Sequence, residues 1–275
     1  MANFITYQPK DTWIHRLSGV TKLIFFLAWS LIGMISYDTR VLAAMCVVSL
    51  LIFAWSKTSW EQVSTVVTMI AFFLVMNVLA IFVFSPYEGT SIYGTRTDLV
   101  HLIGPYTITK EQLFYEFNVV LKYFTVIPAA LMFIVTTNPS EFAASLNKIG
   151  ISYNIGYAIS IALRYIPDVQ EDFQEIKTAQ QARGIDMSTN EKLSERIKKM
   201  LVIIFPLIFS SMERIDVVSN AMELRGFGKH RRRTWYAGKK AIWTDYLSIF
   251  CVALFVVAAL YVTFQDGSRF YNPFM

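Results

Sequence analysis

Two long apolar runs without charged residues constrain this chain more than any other feature of its sequence. They cover residues 62–84 and 246–264. A helix needs about 20 apolar residues to cross the ~30 Å hydrocarbon core of a bilayer, and both runs approach or exceed that length. Only 16% of the 275 residues are charged, whereas soluble domains carry about 25%. The sequence therefore predicts an integral membrane protein.

Three further apolar runs complete the prediction of an all-α membrane protein with about five transmembrane helices. Residues 112–135 are long enough to span, although they include Glu116 and Lys122. Residues 22–37 and 41–55 are shorter, and such runs also occur as buried core helices or re-entrant segments. Their tight connection favours a helical hairpin. The four spans of residues 1–135 are thus about 22–37, 41–55, 62–84 and 112–135, and a fifth lies in 242–275.

Charge distribution orients these spans and separates a polar domain from them. Sixteen of the 25 Lys and Arg residues fall between positions 135 and 241. Positive charge in loops marks the cytoplasmic side. We therefore expect residues 136–241 to form a cytoplasmic domain, with the N-terminus also inside. The loop around 85–110 and the tail that ends 242–275 are expected outside.

The polar domain is predicted to contain one short helix and two long amphipathic helices. Asn138-Pro139-Ser140-Glu141 is typical of a capping box, and the short helix that it begins should end near Gly150. The second helix runs from about Tyr153 to Arg183, and the third from a capping box at 188–191 to Arg225-Gly226. Both helices carry apolar residues at steps of three or four. In the second these are Ala162, Ile166, Val169, Phe173, Ile176 and Ala179, and in the third Leu193, Ile197, Leu201, Ile204, Ile208, Met212, Ile215 and Met222.

Both long helices end in the same pattern, Ala-x-x-x-Arg-Gly, at residues 179–184 and 221–226. Taken singly, each is explained as a helix end, because arginine complements the helix dipole and glycine adopts the left-handed cap conformation. The recurrence favours a further role. An alanine one turn before each arginine lets another surface approach, and a guanidinium suits an acidic or carbonyl-lined groove.

Other charged residues indicate no chemistry of their own. The basic run at 229–233 and Lys239-Lys240 is better explained as a flank that contacts anionic lipid than as a nucleic-acid site. Glu116 and Lys122 fall on different helix faces, and for Lys122 a structural partner and a substrate contact remain equally open. The three histidines are scattered, and no nucleotide-binding Gly-Lys-Ser/Thr motif occurs. Neither a cofactor, a metal site nor a catalytic residue is predicted.

Several motifs together resemble the transmembrane T component of energy-coupling factor (ECF) transporters, the CbiQ-like family of vitamin and metal-ion importers. They are His15-Arg16-Leu17 with Thr21-Lys22-Leu23, then residues 136–141, residues 162–167 and both Arg-Gly ends. One departure is Ser18-Gly19-Val20, where many members carry Asp-Pro-Arg. It indicates a divergent branch and leaves the two helix ends untouched.

The resemblance implies a subunit of the prokaryotic plasma membrane that has no enzyme activity itself. Its implied partners are two cytoplasmic ATPases, separate or fused, and a membrane S component that binds the substrate. Arg183 and Arg225 would anchor one ATPase each, and the S component would lie on the apolar helix faces. The residues implied in ATPase coupling are Ala179, Ala182, Arg183, Gly184, Ala221, Glu223, Leu224, Arg225 and Gly226.

Three other classes of protein share some of these features. A conventional ABC-importer permease normally offers one coupling helix per subunit, so two unlike helix ends favour a single subunit that serves two ATPases. A membrane-embedded enzyme needs convergent catalytic side chains at bilayer depth, and the sequence offers no such cluster. A scaffold on the membrane surface would lay its amphipathic helices on lipid. The sequence does not identify the transported vitamin or metal ion, because specificity in such systems lies in the S component.

Overall fold

The computed structural model describes residue 7 and residues 10–101, 106–184, 193–229, 234–236, 238–265 and 267–274. Helices dominate it, in agreement with the predicted fold class. The helices are α1 (Trp13–Arg16), α2 (Gly19–Ile35), α3 (Thr39–Trp55), α4 (Trp60–Phe84), α5 (Glu88–Tyr93), α6 (Lys110–Thr136), α7 (Pro139–Lys148), α8 (Tyr153–Ala182), α9 (Leu193–Leu224) and α10 (Trp243–Gln265).

Among the described residues, three helices are long and apolar enough to cross a membrane: α4, α6 and α10. The predicted spans 62–84 and 112–135 coincide with α4 and α6, and α10 covers the fifth. The runs at 22–37 and 41–55 form α2 and α3, which are apolar helices of 17 residues each. At 1.5 Å per residue a helix of that length measures about 26 Å, slightly less than the hydrocarbon core.

The loop between α4 and α6 holds structure that an all-α prediction omits. It contains the short helix α5 and two strands, β1 (Asp98–His101) and β2 (Thr107–Thr109), paired antiparallel with a register shift between Asp98 and Val100. Strands of three and four residues leave almost no periodic pattern in a sequence, so this ribbon was not predictable from hydrophobic alternation.

The chain divides into two compact units. The first comprises Met1–Glu141 with Lys239–Met275, and the second Phe142–Gly238. In the first unit, α2, α3, α6 and α10 share one hydrophobic core. Its members include Phe25, Trp29, Met45 and Met132. Helix α4 joins through a smaller cluster, in which Val63 packs on Leu131 and Val135 of α6.

A buried carboxylate ties the beginnings of α2 and α10 together. Asp245 accepts hydrogen bonds from the backbone N–H groups of Ser18 and Ile242 and from the Thr21 hydroxyl, each at 2.8 Å. The Ser18 hydroxyl also caps α2 by accepting from the N–H of Thr21. The departure from the family pattern at Ser18 therefore keeps a residue type that is preferred at helix N-caps.

Lys122 has structural partners inside the first unit. Its ammonium donates to the carbonyl oxygen of Met34 at 3.1 Å and lies 3.1 Å from the centroid of the Tyr37 ring. Tyr37 also packs on Phe270 of the C-terminal tail, and its N–H donates to the carbonyl of Arg269. Of the two roles left open for Lys122, the structure shows the structural one.

The second unit contains the predicted pair of long helices. Helix α8 has the predicted start and ends one residue before Arg183, and it continues through Pro167. Helix α9 ends one residue before Arg225. The short helix α7 ends at Lys148, before Gly150 with its positive φ of 108°. Asn138 caps α7 as predicted, by accepting from the N–H of Ser140. The capping box predicted at 188–191 lies outside the described residues.

Candidate functional site

The first helix tip is built by local hydrogen bonds at the end of α8. The N–H of Arg183 donates to the carbonyl of Ala179, and that of Gly184 donates to the carbonyl of Gln181. Gly184 has a φ of +85°, the left-handed conformation that glycine adopts without steric cost. The glycine thus ends the helix and leaves Ala182, Arg183 and Gly184 exposed, as is Ala179 one turn earlier.

The second tip, at the end of α9, is a Schellman motif. Phe227 N–H donates to the carbonyl of Met222, and Gly226 N–H donates to that of Glu223, with Gly226 at a φ of +67°. These are the two bonds that define the motif. The exposed residues around the cap are Ala221, Glu223, Leu224 and Arg225, and the side chain of Leu224 is 90% exposed.

Aromatic side chains support the second tip. The ring of Phe227 lies 4.6 Å from that of Tyr157 and 6.0 Å from that of Tyr153, both in the first turns of α8. Trp235 packs on the same two tyrosines and donates from its indole N–H to Asn147 of α7. We call Tyr153, Tyr157, Phe227 and Trp235 the aromatic cluster. It fixes the chain just after Arg225 to the start of α8.

An ion pair joins α8 and α9 between the two tips. Nη2 of Arg214 lies 2.7 Å from Oδ2 of Asp172, and Nη1 lies 3.8 Å from Oδ2 of Asp168. The sequence leaves both aspartates outside the apolar stripe of α8. It did not reveal their partner, which is 42 positions away from Asp172.

The apolar stripes of the two long helices are partly uncovered. In α8, Ile166 is 50% exposed, and in α9, Ile215 is 61% exposed. A groove of about 440 Å³ runs between the helices and is lined mainly by small and apolar residues, with Arg214 at its wall. Residues of this kind with no cover inside their own unit form a surface suited to lipid or to a membrane partner.

The remaining expectations concern charge and metals. Of the basic run at 229–233, only Lys229 lies within the described residues. Lys239 contacts Glu141 at 3.2 Å and donates to the carbonyl of His15, so it has protein partners. Across the described ranges, no group of three His, Cys, Asp or Glu side chains is arranged to hold a metal ion.

Comparisons with known proteins place these features in a class. The family model for cobalt transport proteins, CbiQ, matches residues 10–236. The chain is 27% identical over 258 residues to the energy-coupling factor transporter transmembrane protein EcfT of Streptococcus thermophilus, covering 90% of this chain and 92% of the relative. It is 26% identical over 242 residues to the EcfT of Leuconostoc gelidum subsp. gasicomitatum, covering 84% and 85%.

A longer relative carries a different name. A protein of Bifidobacterium longum, whose name describes an ABC transporter ATP-binding protein, is 28% identical over 262 residues. The match covers 92% of this chain and 32% of that relative.

The helical membrane unit and the pair of long helices with exposed tips therefore belong to a membrane transport protein. The chain is a member of the CbiQ family and corresponds to the transmembrane component of energy-coupling factor transporters.

Proposed function

We propose that this chain couples two cytoplasmic ATPases to a substrate-binding S component, and so drives the uptake of a vitamin or a metal ion. Arg183 and Arg225 are the anchors, one on each ATPase. The observation that carries the proposal is the pair of exposed, glycine-capped helix ends with the same sequence pattern. Neither arginine has a side-chain partner among the described residues, so both guanidinium groups are available to a second protein.

The exposure of Leu224 supports docking at the second tip. A leucine that is 90% exposed and next to an arginine offers both apolar area and a charge-assisted donor. The buried core of an interface is more apolar than its rim, and arginine is enriched there. The corresponding position of the first tip is Ala182, so the two tips differ in shape. Each can dock in a groove of its own ATPase, whether the two ATPases are different proteins or two copies of one protein.

The apolar stripes support an S component as the second partner. They lie on the helices that carry the tips, so a displaced tip moves the surface on which a membrane protein would rest. Rigid helices transmit such displacements as rigid-body motion. The concentration of Lys and Arg in residues 135–241 supports a cytoplasmic position for the pair.

The comparisons support ATPases as partners. The Bifidobacterium longum relative aligns with this chain over a third of its own length and is named for ATP binding. A region similar to this chain and a name for ATP binding thus occur in one polypeptide, as expected if such chains work together with ATPases. Neither a conventional permease nor a membrane-embedded enzyme is favoured by the relatives.

Purification of the tagged chain from its native membranes tests the proposal. The wild-type chain is expected to bring down two ATP-binding chains and a small membrane protein. Arg183→Ala and Arg225→Ala should each reduce the recovered ATPase while the level of the chain in the membrane stays unchanged. Lys198→Ala, which removes another exposed cation of α9 outside both Ala-x-x-x-Arg-Gly patterns, is the matched control. Full ATPase recovery with both arginine variants would refute the anchoring role, and a lone chain with hydrolytic activity would indicate an enzyme instead.

A further inference from the structure

Arg214 holds α9 against two consecutive turns of α8. Its guanidinium faces Asp172 at 2.7 Å and Asp168 at 3.8 Å, and its central carbon lies 5.8 Å from the centroid of the Tyr165 ring. These three α8 residues are spaced by three and four positions and so share one face of the helix. A planar guanidinium presents its donors in a rigid fork, so it can engage two carboxylates at once in a defined orientation, whereas the donors of a lysine rotate freely.

The position of this ion pair relative to the tips is symmetrical. Asp172 is eleven residues before Arg183, and Arg214 is eleven residues before Arg225. Eleven residues of helix measure about 16 Å. The two arms from the ion pair to the tips are therefore of equal length.

The arms point in opposite directions because α8 and α9 are antiparallel. The start of α8 contacts the residues after α9, since Tyr157 packs on Phe227. Further along α8, Asp172 contacts Arg214, which comes earlier in the chain than Phe227. Residue numbers in contact thus rise along α8 while they fall along α9. The two tips therefore lie on opposite sides of the ion pair.

Within the groove itself little else fixes the register of the helices, although the aromatic cluster also joins them near Arg225. Alanine and serine side chains line much of the groove, namely Ala158, Ala162, Ser211 and Ser219. Small and apolar contacts are non-directional, so two helices can slide or rotate across them at low cost. The ion pair is directional, so it fixes the register of the two helices at the midpoint between the tips.

We propose that Arg214 is a positioning residue that pins α8 and α9 at the midpoint between the two tips. This proposal rests on the proposed function, since it assigns ATPase docking to those tips. A push on one tip turns both helices about the pin and displaces the other tip by the same distance. Without the pin, the helices would stay joined by the aromatic cluster near Arg225 but would be free to diverge towards Arg183, and their two apolar stripes would not tilt as one body.

Spin labels on the two helices test the pin in the purified full complex. Thr178→Cys and Asn220→Cys place the labels on exposed sites, each five residues before a tip, after Cys46 and Cys251 are changed to serine. With the Arg214–Asp172 pair intact, the distance between the labels is expected to form one population that shifts when ATP and vanadate are added. Arg214→Gln should broaden the distribution and abolish the shift, while both ATPases still co-purify. Glu213→Gln, an exposed change of the neighbouring charge, should leave both the distribution and its shift as they are.

Exchange of the two charges distinguishes a pin from general damage. The double variant Arg214→Asp with Asp172→Arg again places one guanidinium between two carboxylates, so it should restore the single population and its shift. If Arg214→Gln also loses the ATPases, restoration by the exchange still supports the pin, and failure of the exchange overturns it. A normal shift in Arg214→Gln likewise overturns the pin and leaves the proposed function intact. The anchoring role in the proposed function is tested separately, and it fails if Arg183→Ala and Arg225→Ala both retain the ATPases.

Discussion

The ring of Phe227 lies 4.6 Å from the ring of Tyr157, so the residue two positions after Arg225 is packed on the start of α8. The second tip is therefore connected to the helix that carries the first tip at its far end. Movement of Arg225 reaches α8 through an aromatic contact as well as through the Arg214–Asp172 ion pair.

Substitution of Gly156 tests how closely the aromatic cluster is packed on the start of α8. A Cβ atom at Gly156 would lie 3.1 Å from the carbonyl oxygen of Ala143 and 3.3 Å from the Trp235 ring. Gly156→Val is expected to displace Trp235 and to lower the free energy of unfolding of the purified chain by about 1–3 kcal/mol, the usual cost of overpacking. Asn154→Val, at an exposed site two residues earlier, is the control. Equal stabilities of the two variants would show that the aromatic cluster tolerates displacement.

Substitutions of the left-handed glycines at the tips should weaken ATPase binding in the order of the backbone strain that they introduce. Gly226 has a φ of +67°, which costs a residue with a Cβ atom about 1 kcal/mol or more, and asparagine less. We expect Gly226→Ala to weaken ATPase binding more than Gly226→Asn does, because the strained cap shifts Arg225. Titration of the purified ATPases against detergent-solubilised chain measures this order. The reverse order would mean that side-chain size, and not backbone conformation, limits docking.

The buried carboxylate of Asp245 should stabilise the first unit. Asparagine at this position has one acceptor oxygen and no charge, although three donors converge there at 2.8 Å. Hydrogen bonds to charged groups contribute about 1.5–3 kcal/mol, so Asp245→Asn should unfold at a clearly lower temperature. Asp11→Asn breaks only the exposed pair with Arg16 and should change stability by less than about 1 kcal/mol. Comparable losses in the two variants would contradict the assignment.

Tyr37 should stabilise the C-terminal tail through its ring. Lys122 and Arg269 lie over that ring, and Phe270 packs beside it. Tyr37→Leu removes the cation–π contacts, each of which contributes about 0.5–2 kcal/mol, whereas Tyr37→Phe keeps a ring. Limited proteolysis of residues 267–274 is expected to be faster in the leucine variant only. Fast cleavage in the phenylalanine variant would indicate that the hydroxyl group holds the tail instead.

The helix ends of the second unit were predictable because their determinants are local. Asn138, Gly184 and Gly226 each act on the backbone within five residues, and the sequence located α8 and the end of α9 to within a residue. The membrane helices followed from their lengths of apolar sequence in the same way.

The Arg214–Asp172 ion pair was not predictable for the opposite reason. Its partners lie 42 positions apart, and their meeting depends on the rotation and offset of two long helices. A polar face gives the same sequence pattern whether it meets water or an arginine. The role of Lys122 was open on similar grounds. Its acceptor is the backbone carbonyl of Met34, 88 positions away, and a backbone group does not depend on the identity of the residue that carries it.

The exposed leucine of the second tip has a consequence for the life of the subunit before assembly. With Leu224 90% accessible to water and large parts of two apolar stripes uncovered, the chain without its proposed partners exposes apolar surface to solvent. Cells would therefore need to balance the synthesis of this chain against that of the ATPases, because any excess is a substrate for proteases and aggregation. The leucine proposed to dock an ATPase would thus also expose the unassembled subunit to degradation.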